Sequence, residues 1–194
     1  MKKFLLGVLG VFMFVGASYA QEYKPFKIGV GLGYAIPGGE GAGGGILIYG
    51  EPMYRINDAI AVGLRLESAL VVRGLSSTED SYSGDIAGIS SYTLSGQYYF
   101  SNGGFRPLAG LGLGLYSLSA VTLESTGDSG AGASTTFGFY PRVGFDAGHF
   151  NLLLEYNLIP ATELESTSGA DPIKVKNSYF AIKAGVSILG GRKK

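Results

Sequence analysis

Beyond residue 25, apolar residues alternate with polar or small residues along most of the chain. Between Phe26 and Ala35 the even positions carry Phe, Ile, Val, Leu and Tyr, whereas the odd positions carry Lys, Gly and Ala. A period of two is typical of a β-strand whose two faces meet different environments. The pattern predicts eight strands, near residues 26–35, 45–56, 59–71, 89–100, 105–118, 136–147, 150–158 and 177–189.

The connections between these predicted strands alternate in length. Those after the second, fourth and sixth strands are only two to four residues long. The other four are long, rich in Gly, Ser, Thr, Asp and Glu, and centred on residues 37–44, 74–85, 123–134 and 161–172. In an up-and-down barrel, alternate connections lie at the same end, so one rim is predicted to carry short turns and the other long polar loops. Outer-membrane barrels have this asymmetry.

The polar face of the strands contains too few charges for a solvated exterior. It consists mainly of Gly, Ala, Ser and Tyr, and its charged residues are nearly balanced in sign: Lys27, Glu51, Arg55, Arg65, Glu67, Arg142, Asp146, Glu155 and Lys183. We therefore predict that the apolar face meets lipid and the polar face lines a narrow lumen, where charges must pair or stay hydrated.

The interior of an eight-stranded barrel is just wide enough for side chains to fill it. We predict that the three lumen arginines and the one lysine of a charge network pair with its four carboxylates and close the lumen. This predicted network consists of Glu51, Arg55, Arg65, Glu67, Arg142, Asp146, Glu155 and Lys183. The alternating glycines of the first and fifth strands are expected to leave room for inward Arg and Tyr, or to allow curvature.

Composition agrees with a lipid-facing exterior. Charged residues make up 15% of the chain, against about 25% in typical soluble domains. After residue 20, no apolar run approaches the roughly 18 residues of a membrane-spanning helix, so a closed all-β antiparallel barrel is the remaining way to span a bilayer. The absence of cysteine excludes disulfides and thiol chemistry, and nothing in the charge balance indicates nucleic-acid binding.

The first twenty residues have the layout of a cleaved secretory signal peptide. Lys2 and Lys3 precede an uninterrupted apolar run over residues 4–15, and the small residues Ser18 and Ala20 form a cleavage site. We expect residues 1–20 to be removed and residues 21–194 to form one barrel domain. Loss of two lysines leaves thirteen basic and fifteen acidic residues, a formal charge of −2.

Two further features concern the strands themselves. Pro52 and Pro141 lie inside predicted strands, where each removes a backbone donor, so we expect a β-bulge near one or both. Aromatic residues gather at the predicted short-turn rim and could form an interfacial girdle, although aromatics favour strands in any case. They are Phe26, Tyr54, Tyr98, Phe100, Phe105, Phe145 and Phe150.

No group of residues predicts catalysis, a metal site or a cofactor. The one histidine, His149, lies in a predicted turn at the short-turn rim, whereas a lipid-modifying enzyme needs a base near the outer leaflet. Clustered His or Cys ligands are absent from the sequence. The acidic residues of the long loops could bind divalent cations, but a solvated loop explains them more simply.

Three segments carry a resemblance to a known family: EPMYRINDAIAVGLRLE (51–67), YYFSNGGFRPLAGLGLGLY (98–116) and FAIKAGVSI (180–188). The mature chain resembles the small outer-membrane β-barrel domain family, which includes OmpX and the barrel part of OmpA. The resemblance implies an eight-stranded barrel located in the outer membrane. Many such proteins end in an aromatic residue, whereas this chain ends in GGRKK, which suggests a lineage with a different end signal, such as the Bacteroidetes.

The expected function is a non-enzymatic outer-membrane barrel that has a filled lumen and displays its long loops at the cell surface. Three alternatives stay open: a narrow pore, an outer-membrane lipid-modifying enzyme, and a soluble periplasmic ligand-binding barrel. Expected partners are outer-membrane lipid, the barrel assembly machinery and an unidentified surface partner of the loops. We expect a monomer.

Overall fold

The structure is a computed structural model that describes residues 22–38, 43–78, 81–121, 132–164 and 173–193. The predicted signal peptide lies outside these residues. Among the residues described, no helix is long and apolar enough to cross a membrane. The strands are β1 (Phe26–Pro37), β2 (Gly45–Arg55), β3 (Ile60–Thr78), β4 (Ser81–Tyr99), β5 (Phe105–Val121), β6 (Gly132–Ala147), β7 (Phe150–Asn157), β8 (Thr162–Leu164), β9 (Ile173–Val175) and β10 (Tyr179–Ser187).

Eight of these strands close into one antiparallel barrel. Strands β1 to β7 pair in chain order, and β10 closes the circle between β7 and β1. The closing ladder runs from Gly29 opposite Ser187 to Pro37 opposite Tyr179. The two short strands β8 and β9 form a separate two-stranded sheet in the connection between β7 and β10. The predicted fold, a closed up-and-down barrel of eight strands, is confirmed.

The two faces of each barrel strand separate as the alternation predicted. In β1, Leu32 and Tyr34 are exposed on the outer surface, whereas Lys27 and Ala35 are buried inside. The same parity holds in β2 and β7. Large apolar side chains therefore cover the outside, whereas the interior combines charged, polar and small side chains with tyrosines and a few aliphatic residues such as Leu47 and Leu153. A soluble carrier with an apolar cavity requires the opposite arrangement, so the structure argues against that alternative.

The long connections contain more strand than the sequence predicted. β3 and β4 pair as far as Thr78 opposite Ser81, with one register shift between Arg73 and Ser76. The loop expected over residues 74–85 is thus wrong, because backbone hydrogen bonds continue the hairpin where the hydrophobic alternation stops. The predicted connection over residues 161–172 likewise begins with strand β8. Residues 39–42, 122–131 and 165–172 lie outside the described part of the chain.

The two strand prolines do not shift the register, so the expected β-bulge near Pro52 or Pro141 is wrong. Pro52 stays opposite Ile28, and the pairing of β2 with β3 is interrupted between Gly50 and Met53 but resumes in the same register. Pro141 likewise stays opposite Leu111. Each proline removes a donor toward one neighbouring strand only, so the ladder on the other side keeps the strand in place.

The two terminal segments lie together across the short-turn rim. Lys24 N donates to Gly191 O at 3.0 Å, and Lys193 N donates to Glu22 O at 2.7 Å. The buried Tyr23 donates its hydroxyl proton to Gly103 O at 2.7 Å, in the turn between β4 and β5. The short-turn end of the barrel is therefore covered by residues that the strand pattern left out.

Candidate functional site

The interior of the barrel is centred on Glu155 of β7. Arg65 of β3, Arg142 of β6 and Lys183 of β10 all form ion pairs with its carboxylate, with Arg142 Nη2 at 2.9 Å. All four side chains are almost completely buried. A buried carboxylate that is shared by three cations is compensated in charge, whereas a lone one would be very costly.

Two further carboxylates complete this group. Glu67 of β3 pairs with Lys183 and lies 3.7 Å from Arg65, and Glu51 of β2 pairs with Arg142 at 2.8 Å. Three cations and three carboxylates thus form one connected and electrically balanced group. We call it the lumen cluster: Glu51, Arg65, Glu67, Arg142, Glu155 and Lys183.

Neutral side chains hold the lumen cluster from the sides. Arg65 also donates to Tyr116 Oη and Asn157 Oδ1, each at 3.0 Å. Its guanidinium carbon lies 3.7 Å from the ring centroid of Tyr140, whose hydroxyl accepts a bond from Arg142 at 2.9 Å. Cation–π contacts are strongest when the cation is desolvated. The tyrosines therefore fill space and stabilise the buried arginines together.

Glycines on the inner face make room for these tyrosines. An added Cβ at Gly112 would lie 2.2 Å from Tyr140 Cζ, and one at Gly138 would lie 2.9 Å from Tyr116 Cε2. Both contacts are shorter than any that real side chains make. Gly112 of β5 and Gly138 of β6 therefore each provide space for an aromatic ring from the neighbouring strand, and Gly110 of β5 lies against the side chain of Arg142.

A second charged layer lies closer to the short-turn rim. Lys27 Nζ lies 2.5 Å from Asp146 Oδ2, and the same oxygen accepts a bond from Tyr99 at 3.0 Å. Arg55 donates to the backbone oxygens of Lys24, at 3.1 Å, and Gly190. Asp146 and Arg55 thus belong to this layer rather than to the lumen cluster.

The structure therefore brings six of the eight predicted network residues into one cluster and places Arg55 and Asp146 near the rim. Two further buried cations lie outside the predicted network. Lys27 lies on the predicted inner face, whereas Arg106 is not among the predicted lumen charges. The even-numbered residues of β5, such as Gly110 and Tyr116, face the lumen. The same alternation places Arg106 in the lumen, so this residue could have been predicted from the sequence.

His149 lies in the turn between β6 and β7 at the short-turn rim. Its Nδ1 lies 2.7 Å from Ser187 O, a backbone contact that orients the ring. Within the described ranges, no group of three His, Cys, Asp or Glu residues is arranged to hold a metal ion. The predicted absence of a cofactor stays a prediction.

Two groups of outward-facing aromatic side chains lie at different heights on the outer surface; we call them the two aromatic rings, the first with members on six of the eight barrel strands and the second on four. The predicted ring at the short-turn rim contains edge or tilted contacts, such as Phe26 with Tyr54 at 5.3 Å and Phe105 with Phe145 at 4.8 Å between ring centroids. A second ring, which is not among the sequence-based predictions, lies nearer the long connections. It consists of the exposed residues Tyr34, Tyr92, Phe137, Phe139 and Tyr156.

The distance between the two rings is close to the height of the apolar band in outer-membrane barrels. Phe26 and Tyr34 are eight residues apart on β1. At about 3.3 Å per residue and a strand tilt of about 40°, this distance is about 20 Å along the barrel axis. The apolar band of outer-membrane barrels is about 25 Å tall and lies between two aromatic girdles.

Solved structures share this architecture. Neisserial surface protein A is 18% identical with a TM-score of 0.55, and the match covers 86% of this chain and 98% of that one. The outer membrane protein OprG from Pseudomonas aeruginosa is 16% identical with a TM-score of 0.50, covering 89% and 98% of the two chains. The chain has the fold of the small outer-membrane eight-stranded barrels. The resemblance inferred from the sequence is thereby confirmed at the level of fold.

The likeness is one of structure rather than of sequence. No family model matches the chain, and no curated protein matches it either. At identities below a fifth, the likeness shows a shared fold and no more. Activity and partners must therefore be argued from the residues of this barrel itself.

Proposed function

We propose that this chain is a non-enzymatic barrel of the outer membrane, with a lumen sealed by side chains and with its long connections presented at the cell surface. The observation that carries the proposal is the combination of an apolar exterior between two aromatic rings and a charge-balanced, packed interior. The exterior suits hydrocarbon. Among the described residues, buried ion pairs and tyrosines occupy the middle of the interior.

In this proposal the role of the barrel is structural or adhesive, and the residues that contact partners lie at the long-connection rim. Outer-membrane lipid surrounds the apolar belt, and the barrel assembly machinery inserts the chain. The chain acts as a monomer with an unidentified surface partner. A catalytic role is not proposed, because the single histidine lies at the short-turn rim and contacts a backbone carbonyl.

Surface presentation can be tested by labelling single cysteines, since the chain has none of its own. Ser134 lies near the long-connection end of β6 and Asn102 lies in a turn of the short-turn rim; both are exposed. On intact cells, Ser134→Cys is expected to react with a membrane-impermeant maleimide, whereas Asn102→Cys should react only after permeabilisation. The reverse pattern, or protection of both positions until lysis, contradicts the proposed orientation.

The sealed lumen separates this proposal from a narrow pore. When the full mature chain is reconstituted into a planar lipid bilayer, we expect no discrete conductance steps, because buried ion pairs and tyrosines occupy the cross-section. An open porin added to the same bilayer serves as the positive control. The folded protein is identified by its faster migration on a gel when it is not heated. Reproducible conductance steps from this folded form would favour the pore instead.

A further inference from the structure

A cavity of about 170 Å³ lies at the short-turn rim, beside the two terminal segments. Its volume is well above the roughly 15 Å³ that a single water molecule needs. We call it the rim cavity. Its polar lining includes Arg55, Arg106, Asp146, His149, Ser187 and Arg192. Four of these residues, Arg55, Arg106, Asp146 and Ser187, are buried inside the barrel.

Arg106 differs from the other lining residues in how closely its buried guanidinium lies between two tyrosine rings. It is only 2% exposed, and the Tyr99 and Tyr23 ring centroids lie 3.9 and 4.0 Å from its guanidinium carbon. Its Nε donates to Ser101 O at 3.1 Å, and its Nη2 donates to Asp58 O. The guanidinium is therefore fixed in position, and its hydrogen-bond partners are neutral.

None of the ion pairs among the described residues involves Arg106, although Asp146 lies near enough to attract it. Within the same part of the chain, the buried Nη1 of Arg106 has no hydrogen-bond partner. Asp146, which also lines the rim cavity, already holds Lys27 at 2.5 Å. A buried cation without an ion-pair partner is costly, so a counter-ion from solution would be stabilised here.

Within the described residues, two buried oxygen atoms of the lining also have no hydrogen-bond partner. They are Ser187 Oγ, which can donate a hydrogen bond, and Asp146 Oδ1, which can accept one. A guanidinium N–H together with a hydroxyl group is suited to an oxyanion. An acceptor close by is suited to a hydroxyl group or a bound water of the same ligand.

We propose that the rim cavity binds a small oxyanion of the phosphate or carboxylate class, with Arg106 Nη1 and Ser187 Oγ as the donors. Arg106 has the central role because it supplies both charge and a fixed direction. The exposed His149 and Arg192 stand where the cavity opens to solvent. In the orientation proposed above this opening faces the periplasm, but binding itself does not depend on the orientation.

The test is calorimetric titration of the refolded, full mature chain in detergent micelles, with inorganic phosphate in one series and acetate in another. The parent is expected to bind at least one of the two. Arg106→Gln should weaken that binding about tenfold to hundredfold, because a hydrogen bond to a charged group contributes about 1.5–3 kcal/mol. Ser187→Ala should weaken it by a smaller factor. Lys176→Gln, which removes an exposed charge outside the cavity, is the matched control and should bind as the parent does.

Folding of every variant is verified first by the faster migration of the unheated protein on a gel. If Arg106→Gln does not reach this form, the comparison of Ser187→Ala with Lys176→Gln decides. Binding of phosphate alone assigns the site to phosphate, and binding of both anions assigns it to oxyanions in general. The proposal is overturned if the parent binds neither anion, or if the cavity variants bind as tightly as Lys176→Gln.

Discussion

Replacing Glu155 by glutamine is expected to lower the free energy of unfolding by about 3–5 kcal/mol, the usual cost of removing one partner from a buried ion pair. Glu155 is shared by Arg65, Arg142 and Lys183. The glutamine has the same shape but no charge. The substitution therefore leaves three buried cations facing two carboxylates, with little change in packing.

The measurement is urea unfolding of the detergent-refolded protein, followed by loss of the fast-migrating gel band, because the chain has no tryptophan to report unfolding. Glu22→Gln is the matched control. Its carboxylate pairs with Arg192 at the surface, where the two side chains are 50% and 62% exposed. Exposed pairs contribute about 0–1 kcal/mol. Equal losses in the two variants would mean that the lumen is hydrated enough to screen its charges.

Introducing arginine on the outer face at Leu111 is expected to cost about 2–4 kcal/mol in a lipid bilayer, the penalty for this residue near the bilayer midplane. Leu111 is 65% exposed. It lies opposite Gly96 of β4. Gly96 is between Tyr92 and Tyr98, which belong to different aromatic rings, so Leu111 lies between the two rings. The substitution changes only the surface that is proposed to meet hydrocarbon.

Phe100→Arg is the matched control for Leu111→Arg. Phe100 is equally exposed, at 66%, but lies at the short-turn rim, where the penalty for arginine falls to about 0–1 kcal/mol. Both variants are unfolded by denaturant from phospholipid vesicles, and the free energies are compared with that of the parent. A barrel that did not span a bilayer would tolerate the two substitutions equally, and that result would contradict the membrane assignment.

Much of the fold was predictable because it depends on local pattern. Leu32 faces outward and Lys27 faces inward because one has an even and the other an odd position on β1. This alternation can be read from the sequence without knowing which strands are neighbours. The extent of the β3–β4 hairpin was not predictable in this way. Residues 74–85 are mostly Gly, Ser, Thr, Asp and Glu without regular apolar alternation, so the sequence pattern does not mark the strands there, whereas the backbone pairing does.

The candidate site was partly predictable for the same reason. Parity placed Arg65 and Glu155 inside, but it could not say that they meet, since they are ninety residues apart in the chain. For the prolines, the local signal misled. Pro52 removes a backbone hydrogen-bond donor, which predicted a bulge, but the intact ladder between β2 and β1 keeps the register. That ladder belongs to the tertiary structure and cannot be read from one strand.

The sequence by itself determined the number of barrel strands, the apolar outside, the polar inside and the kinds of charge in the lumen. These are properties of single strands, because successive side chains point to opposite faces. Only the tertiary structure decided that Glu155 forms ion pairs with three cations, that Lys27 pairs with Asp146, and that the terminal segments cover the rim beside Arg106. Such pairings depend on the stagger between strands and on closure of the barrel, which bring together residues from opposite ends of the chain.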